Sequence, residues 1–268
     1  MQNIRSPAVA GTFYPAEADI LARDVRAMLA AAKPCEFAPK ALIVPHAGYV
    51  YSGPIAASAY AALKNAAARI RRVVLLGPTH RVAVRGLALP GTDAFVTPLG
   101  TIQVDVEAAQ AIAHLPQVSV SAQAHALEHS LEVQLPFLQT VLRDFRLLPL
   151  AVGMATPEEV AEVLELLWGG EETLIVVSSD LSHYLPYAVA KRMDSATVQS
   201  ILELKHPISH EQACGGTPVN GLLVAARRRH LAPHLLDLRN SGDTAGPRDG
   251  VVGYASFAFT EEEAEYVG

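Results

Sequence analysis

Cysteine is scarce in this chain. Two occur in 268 residues, Cys35 and Cys214, too few for a disulfide framework, and a reducing cytoplasm is the expected setting. Excess positive charge is also missing. Against 27 Asp and Glu stand 21 Lys and Arg, a net charge of −6, which provides no electrostatic footprint for nucleic acid. The one short basic run, AARRRH (225–230), reads as a solvated helix end. No segment reaches the ~18 uninterrupted apolar residues of a membrane span. The opening MQNIRSPAVAGTFYP has no apolar run of signal-peptide length. Neither nucleic acid nor a membrane is therefore expected as a partner. Repeats of solenoid or propeller period and low-complexity linkers are absent too, so residues 1–268 are read as one domain.

What is abundant is apolar. Hydrophobic residues make up 50% and charged residues 18%, enough to bury a sizeable core and opposed to disorder. Short β-branched runs alternate with helix-forming stretches. ALIVP (41–45), RVVLLG (72–77), FRLLPLAVG (145–153) and TLIVVSS (173–179) read as buried strands. Helices are expected over 53–65, with Pro54 at the first position, and over 105–115, 186–204 and 217–230. In 156–170, Thr156 as N-cap, Pro157 and Glu159 form a capping-box signature with a glycine stop. The stretch 127–142 has Leu131, Leu135, Leu138 and Leu142 on one helical face, and Pro136 should kink or bound it. GLALPGTDAFVTPLGTIQV suggests a hairpin or a small edge structure, and HLLDLRNSG and VVGYASFAF suggest late antiparallel strands. The alternation predicts an α/β fold: three layers, α/β/α, around a mostly parallel central sheet with a mixed edge.

Three buried runs stop on chemistry. LIVPHAGY puts His46 just past the first and VVLLGPTH puts His80 just past the second. LIVVSSDLSHY puts Asp180 and His183 just past a third. In an open α/β sheet, ligands bind beyond the carboxyl ends of parallel strands, so these clusters should converge. Neutral imidazole is the commonest ligand for zinc, copper and iron. Two histidines hold an ion weakly. Cys214, before Gly215-Gly216 and a Thr-Pro helix start, is a third candidate because a helix N-terminus favours thiolate. Singly, each histidine reads as a capping or hydrogen-bonding residue, Cys214 as a small core hydrophobe and Asp180 as a turn cap. Together the three strand ends reverse the reading for the histidines. HALEHSLEVQLPF adds His125, Glu128, His129 and Glu132 as two i, i+4 pairs. Such pairs usually face solvent, and one pair is expected at the core boundary. Cys35 has no histidine nearby in sequence and reads as incidental, and His114, His206, His210, His230 and His234 read as surface residues.

The blocks PAVAGTFYP, PHAGYVYSG, LLGPTH, EHSLEVQLPFL, SSDLSHY and CGGTPVNGLL, in that order and spanning nearly the whole chain, resemble the Memo family, whose bacterial and archaeal members are called AmmeMemoRadiSam system protein B. The resemblance implies a fold like that of the class III extradiol dioxygenases. It implies one metal ion per chain, Fe(II) or copper with zinc as an alternative, held by His46, His80 and Cys214. It makes His183 the acid/base histidine, with Asp180 accompanying it and His129 near the same pocket. Thiolate in place of the dioxygenases' carboxylate softens the site toward copper or zinc. The family name also implies a radical-SAM pathway partner, with a small-molecule substrate left unidentified. Three functions follow as expectations: a metal-dependent redox enzyme of dioxygenase type, a zinc hydrolase on the same ligands, or a phosphopeptide-binding module that kept the pocket.

Overall fold

The structure is a computed structural model, and it describes residues 3–261; the outermost residues of the expected 1–268 unit lie outside the described residues. Its strands are β1 (Ile4–Arg5), β2 (Ala41–Val44), β3 (Arg72–Pro78), β4 (Leu87–Leu89), β5 (Ala94–Thr97), β6 (Gly100–Gln103), β7 (Val118–Val120), β8 (Arg146–Val152), β9 (Thr173–Ser178), β10 (Leu231–Asn240) and β11 (Gly253–Glu261). Its helices are α1 (Ala18–Ala31), α2 (Tyr49–Ala61), α3 (Val106–Ile112), α4 (Ala122–Ala126), α5 (His129–Glu132), α6 (Leu135–Val141), α7 (Pro157–Leu166), α8 (Tyr187–Leu202), α9 (Gly216–Arg228) and α10 (Ser241–Thr244).

Eight strands form one sheet in the order β10-β11-β2-β9-β3-β8-β4-β7. The central four, β2, β9, β3 and β8, are parallel. Antiparallel pairs join β11 to β2, β10 to β11 and β4 to β8. The expected mixed edge therefore occurs on both sides. The GLALPGTDAFVTPLGTIQV stretch divides in two. Strand β4 joins the large sheet, while β5 and β6 form a hairpin that β1 extends as a separate three-stranded sheet.

The central strands show no polar face because the pleat sends alternate side chains into two different cores. Val73 and Leu75 of β3, with Leu174 and Val176 of β9, enter the layer built by α1, α2 and α6, where Leu21, Val25, Ala57, Tyr60 and Leu138 are buried. Val74, Leu76, Ile175 and Val177 enter the opposite layer with Val160 and Leu164 of α7, Val198 of α8, and Leu222 and Leu223 of α9. Helices on both faces of one sheet make the three layers.

Local signals are realised where they are self-contained. Thr156 accepts from the Glu159 N–H at 3.1 Å while the Glu159 carboxylate accepts from the Thr156 N–H at 2.8 Å, the complete capping box. One expectation is corrected. Helix α2 begins at Tyr49, so Pro54 lies inside it; the missing N–H falls only slightly more than a turn from the start, and the carbonyl deprived of a partner belongs to exposed Val50. Pro136 bounds the 127–142 stretch rather than kinking it: the stretch divides into α5 and α6, and Pro136 lies in the first turn of α6.

Candidate metal centre

Parallel pairing of β2, β9 and β3 brings their carboxyl ends to one rim of the sheet. His46 follows β2 by two residues, His80 follows β3 by two, and Asp180 follows β9 by two. His129 arrives from elsewhere, as the first residue of α5. That single turn sits against the end of β3, where the Ser130 hydroxyl donates to the Pro78 carbonyl at 2.9 Å. Gly77 permits the approach: a Cβ there would stand 2.7 Å from Ser130 Oγ.

His46, His80 and His129 converge, with one ligand atom of each within 4.8 Å of the others. The rings of His80 and His129 stack at 4.6 Å between centroids, and His46 meets both edge-on at 5.2 and 5.5 Å. Cys214 Sγ lies 3.2 Å from His46 Nε2. Its loop is pulled onto β9 by Cys214 N–H donating to the Asp180 carbonyl and Gly215 N–H donating to Ser179 Oγ. Gly215 has no room for a side chain, since a Cβ would lie 2.8 Å from the Ser178 carbonyl oxygen. The structure thus joins His46, His80 and His129 as a three-imidazole group, with the Cys214 sulfur beside His46.

Hydrogen bonding sets which ring nitrogens are free. The single hydroxyl proton of Ser178 goes to the Ser130 carbonyl at 2.6 Å, so its oxygen accepts from His46 Nδ1–H at 2.9 Å. Gln134, fixed by the Tyr60 hydroxyl and the Pro45 carbonyl, also donates to that oxygen. His46 Nε2 is therefore the lone-pair nitrogen. A carboxylate only accepts, so His80 Nδ1 donates to Glu128 Oε1 at 2.8 Å and leaves its Nε2 free. Burial, reinforced by the neighbouring His80, holds His46 well below the ordinary imidazole range and lowers His129 to about 4. Both are neutral at pH 7, the form that binds metals, so the donor set fits a transition-metal ion. Burial, with Asp180 nearby, pushes the Cys214 thiol up to about 12, opposite to the shift expected from the helix N-terminus; desolvation outweighs the dipole here.

Asp180 is buried, and its Oδ1 accepts from the His46 N–H at 2.7 Å. Burial raises its pKa above the usual carboxylate range against that hydrogen bond and the nearby His183. His183 Nδ1 donates to the Leu181 carbonyl at 2.9 Å, so its Nε2 is free. His129, Asp180 and His183 line a cavity of about 380 Å³ whose other walls include Phe13, Tyr51, Tyr184 and Tyr254. The sequence-derived residues His46, His80, His129, Asp180, His183 and Cys214 are all at this rim.

The i, i+4 pairs depart from their expected place. His125, Glu128 and Glu132 are all buried, and His129 is partly so. The solvent argument assumes one continuous helix, and the chain breaks it into single turns. His125 Nε2–H donates to the Ala88 carbonyl at 2.7 Å, a structural contact. Glu128 grips His80, and Glu132 anchors the amino-terminal arm: it accepts from the Arg5 guanidinium, the Ala8 and Val9 N–H groups and the Tyr14 hydroxyl. That arm delivers Phe13 to the His129 ring, 4.8 Å between centroids at a tilt of 48°. Sequence pattern assigns no ligand-orienting role to Ser178 or Glu128, although both lie inside the quoted SSDLSHY and EHSLEVQLPFL blocks.

Comparison with known proteins adds the relatives. The family model described as Memo-like protein matches residues 5–258. A MEMO1 family protein of Methanosarcina barkeri is 37% identical, covering 94% of this chain and 98% of its own. A MEMO1 family protein of Aquifex aeolicus is 36% identical, covering 96% and 99%. Among solved structures, that of an uncharacterised protein from Escherichia coli K12 superposes with a TM-score of 0.52 at 15% identity, covering 81% of this chain and 98% of the other; it shows the fold alone.

Proposed function

This chain belongs to the Memo family, and we propose that it is a metal-dependent oxidoreductase of dioxygenase type, built on His46, His80 and His129 with Cys214 at the margin. The observation that carries the reading is the convergence of three imidazoles within 4.8 Å beside a cavity lined by a buried carboxyl group and an unengaged histidine nitrogen. Fe(II) or copper bound there would supply one-electron chemistry with O₂ and Lewis acidity.

The protein's own residues supply the rest. The cavity of about 380 Å³ suits a small organic substrate; Phe13 offers it an apolar wall, and Tyr51, Tyr184 and Tyr254 offer apolar rings with polar tips. His183 Nε2 accepts a proton from a substrate hydroxyl and returns it, while the Nδ1–H bond to Leu181 fixes the ring's tautomer. Asp180 holds the backbone of His46 in place and, with its raised pKa, stores a proton closer to neutrality than an exposed carboxyl group does.

One observation favours a second reading. The three convergent donors are all imidazoles, the set found in zinc sites that activate water, so a zinc hydrolase on the same residues is the alternative. Metal analysis of protein purified after metal-supplemented expression tests both. About one ion per chain is expected, lost in His46→Ala and His129→Ala. Iron or copper with substrate-dependent O₂ consumption supports the redox reading, and zinc with hydrolysis across an ester and amide panel supports the second. Wild type as empty as both variants refutes the metal centre.

A further inference from the structure

We propose that Glu128 is the positioning residue of the metal centre: one buried carboxylate that presets His80 and His129 for an ion. This rests on the three-imidazole reading above. Glu128 Oε1 accepts from His80 Nδ1–H at 2.8 Å and from the Ser130 N–H at 2.9 Å, and it lies 3.4 Å from His129 Nδ1. Oε2 accepts from the His80 backbone N–H at 2.7 Å. Both the ring and the backbone of His80 are thereby fixed by one side chain, and the same side chain caps the single turn that begins with His129.

Capping alone needs one acceptor, so the second oxygen and the grip on His80 exceed a structural cap. Charge points the same way. An imidazole ligand brings no charge to a divalent ion, and Glu128, only 2% exposed, places a carboxylate oxygen 2.8 Å from His80 Nδ1 and 3.4 Å from His129 Nδ1. Glutamine cannot replace it. Its single carbonyl oxygen could keep His80 Nδ1–H and Ser130 N–H, but its NH₂ would then face the His80 backbone N–H, donor against donor.

The test uses full-length metal-free protein, with folding checked by circular dichroism and thermal unfolding. Affinity for Co(II) and for Zn(II) is measured by competition with a chromogenic chelator, together with the visible spectrum of the Co(II) form. Glu128→Gln should bind both ions roughly 10- to 100-fold more weakly and alter the Co(II) spectrum. Glu128→Asp should recover part of the affinity. Glu165→Gln, on the surface and paired with Arg228, should match wild type. A folded Glu128→Gln that binds within about twofold of wild type with an unchanged spectrum overturns the proposal. Should that variant not fold, ¹⁵N chemical shifts of wild-type His80 decide: Nδ1 protonated supports the assignment, and Nε2 protonated overturns it. Wild type binding neither ion overturns the three-imidazole reading itself, a result distinct from equal binding by wild type and variant.

Discussion

Replacing Glu132 by Gln should detach the amino-terminal arm. The carboxylate is fully buried and serves four donors: the Arg5 guanidinium, two backbone N–H groups at 2.8 and 3.0 Å, and the Tyr14 hydroxyl at 2.6 Å. Arg5 is itself 5% exposed, with further bonds only to the His125 and Glu128 carbonyls among the contacts it makes in this cluster. Neutralising Glu132 leaves a buried guanidinium without its counter-charge, which costs about 3–5 kcal/mol. For a chain of this size that corresponds to a fall in Tm of roughly 6–20 °C. Because the pair is coupled, Arg5→Met combined with Glu132→Gln should cost less than the two single changes added together, by roughly 1–3 kcal/mol. Chemical denaturation of the four proteins measures this cycle, and hydrogen exchange at Ala8 and Val9 reports whether the arm itself has loosened. A Glu132→Gln protein within about 1 kcal/mol of wild type, or single-variant costs that simply add, would refute the reasoning.

Other consequences can be checked directly. In metal-free protein, acid should destabilise in two windows. Burial lowers His125 and His129 to about 4, so the stability they contribute is full above their unfolded value near 6.5 and is lost as pH falls toward 4. Burial pushes Glu128 upward, but the His80 side chain and backbone donors outweigh it and hold the group at about 2. Its contribution, roughly 3 kcal/mol, is full above pH 4.5 and is lost as pH falls through 2. In urea titrations the gap between wild type and Glu128→Gln should therefore narrow from about pH 5 to about pH 3, and a constant gap would contradict the assignment. The Cys214 thiol, pushed up to about 12, should alkylate far more slowly at pH 8 in folded metal-free protein than after unfolding; equal rates by peptide mapping would show an exposed thiolate instead. Thr156→Ala removes a complete capping box and should cost about 1 kcal/mol in denaturation.

Much of this protein was legible in the one-dimensional chain. Runs such as VVLL and LIVV declare strands buried on both faces because every residue in them is apolar, and that burial requires helices above and below. Once the strands are parallel, His46, His80, Asp180 and His183 must share a rim, since each follows the carboxyl end of its strand. The capping box was legible because all its atoms lie within one turn. The rest depends on contacts between distant segments. His129 joins His46 and His80 because a single helical turn packs on Gly77, and no periodicity in 127–142 encodes that contact. Glu128 and Glu132 turn inward because His80 and the Arg5 arm meet them there, satisfying charges that a helical wheel assigns to solvent. The Cys214 sulfur, expected as a thiolate by its place before α9, lies beside His46 where burial pushes its thiol up to about 12. Local pattern sets element type and strand-end chemistry; the depth at which a side chain is buried, and hence its charge state, is set by whatever the rest of the chain packs against it.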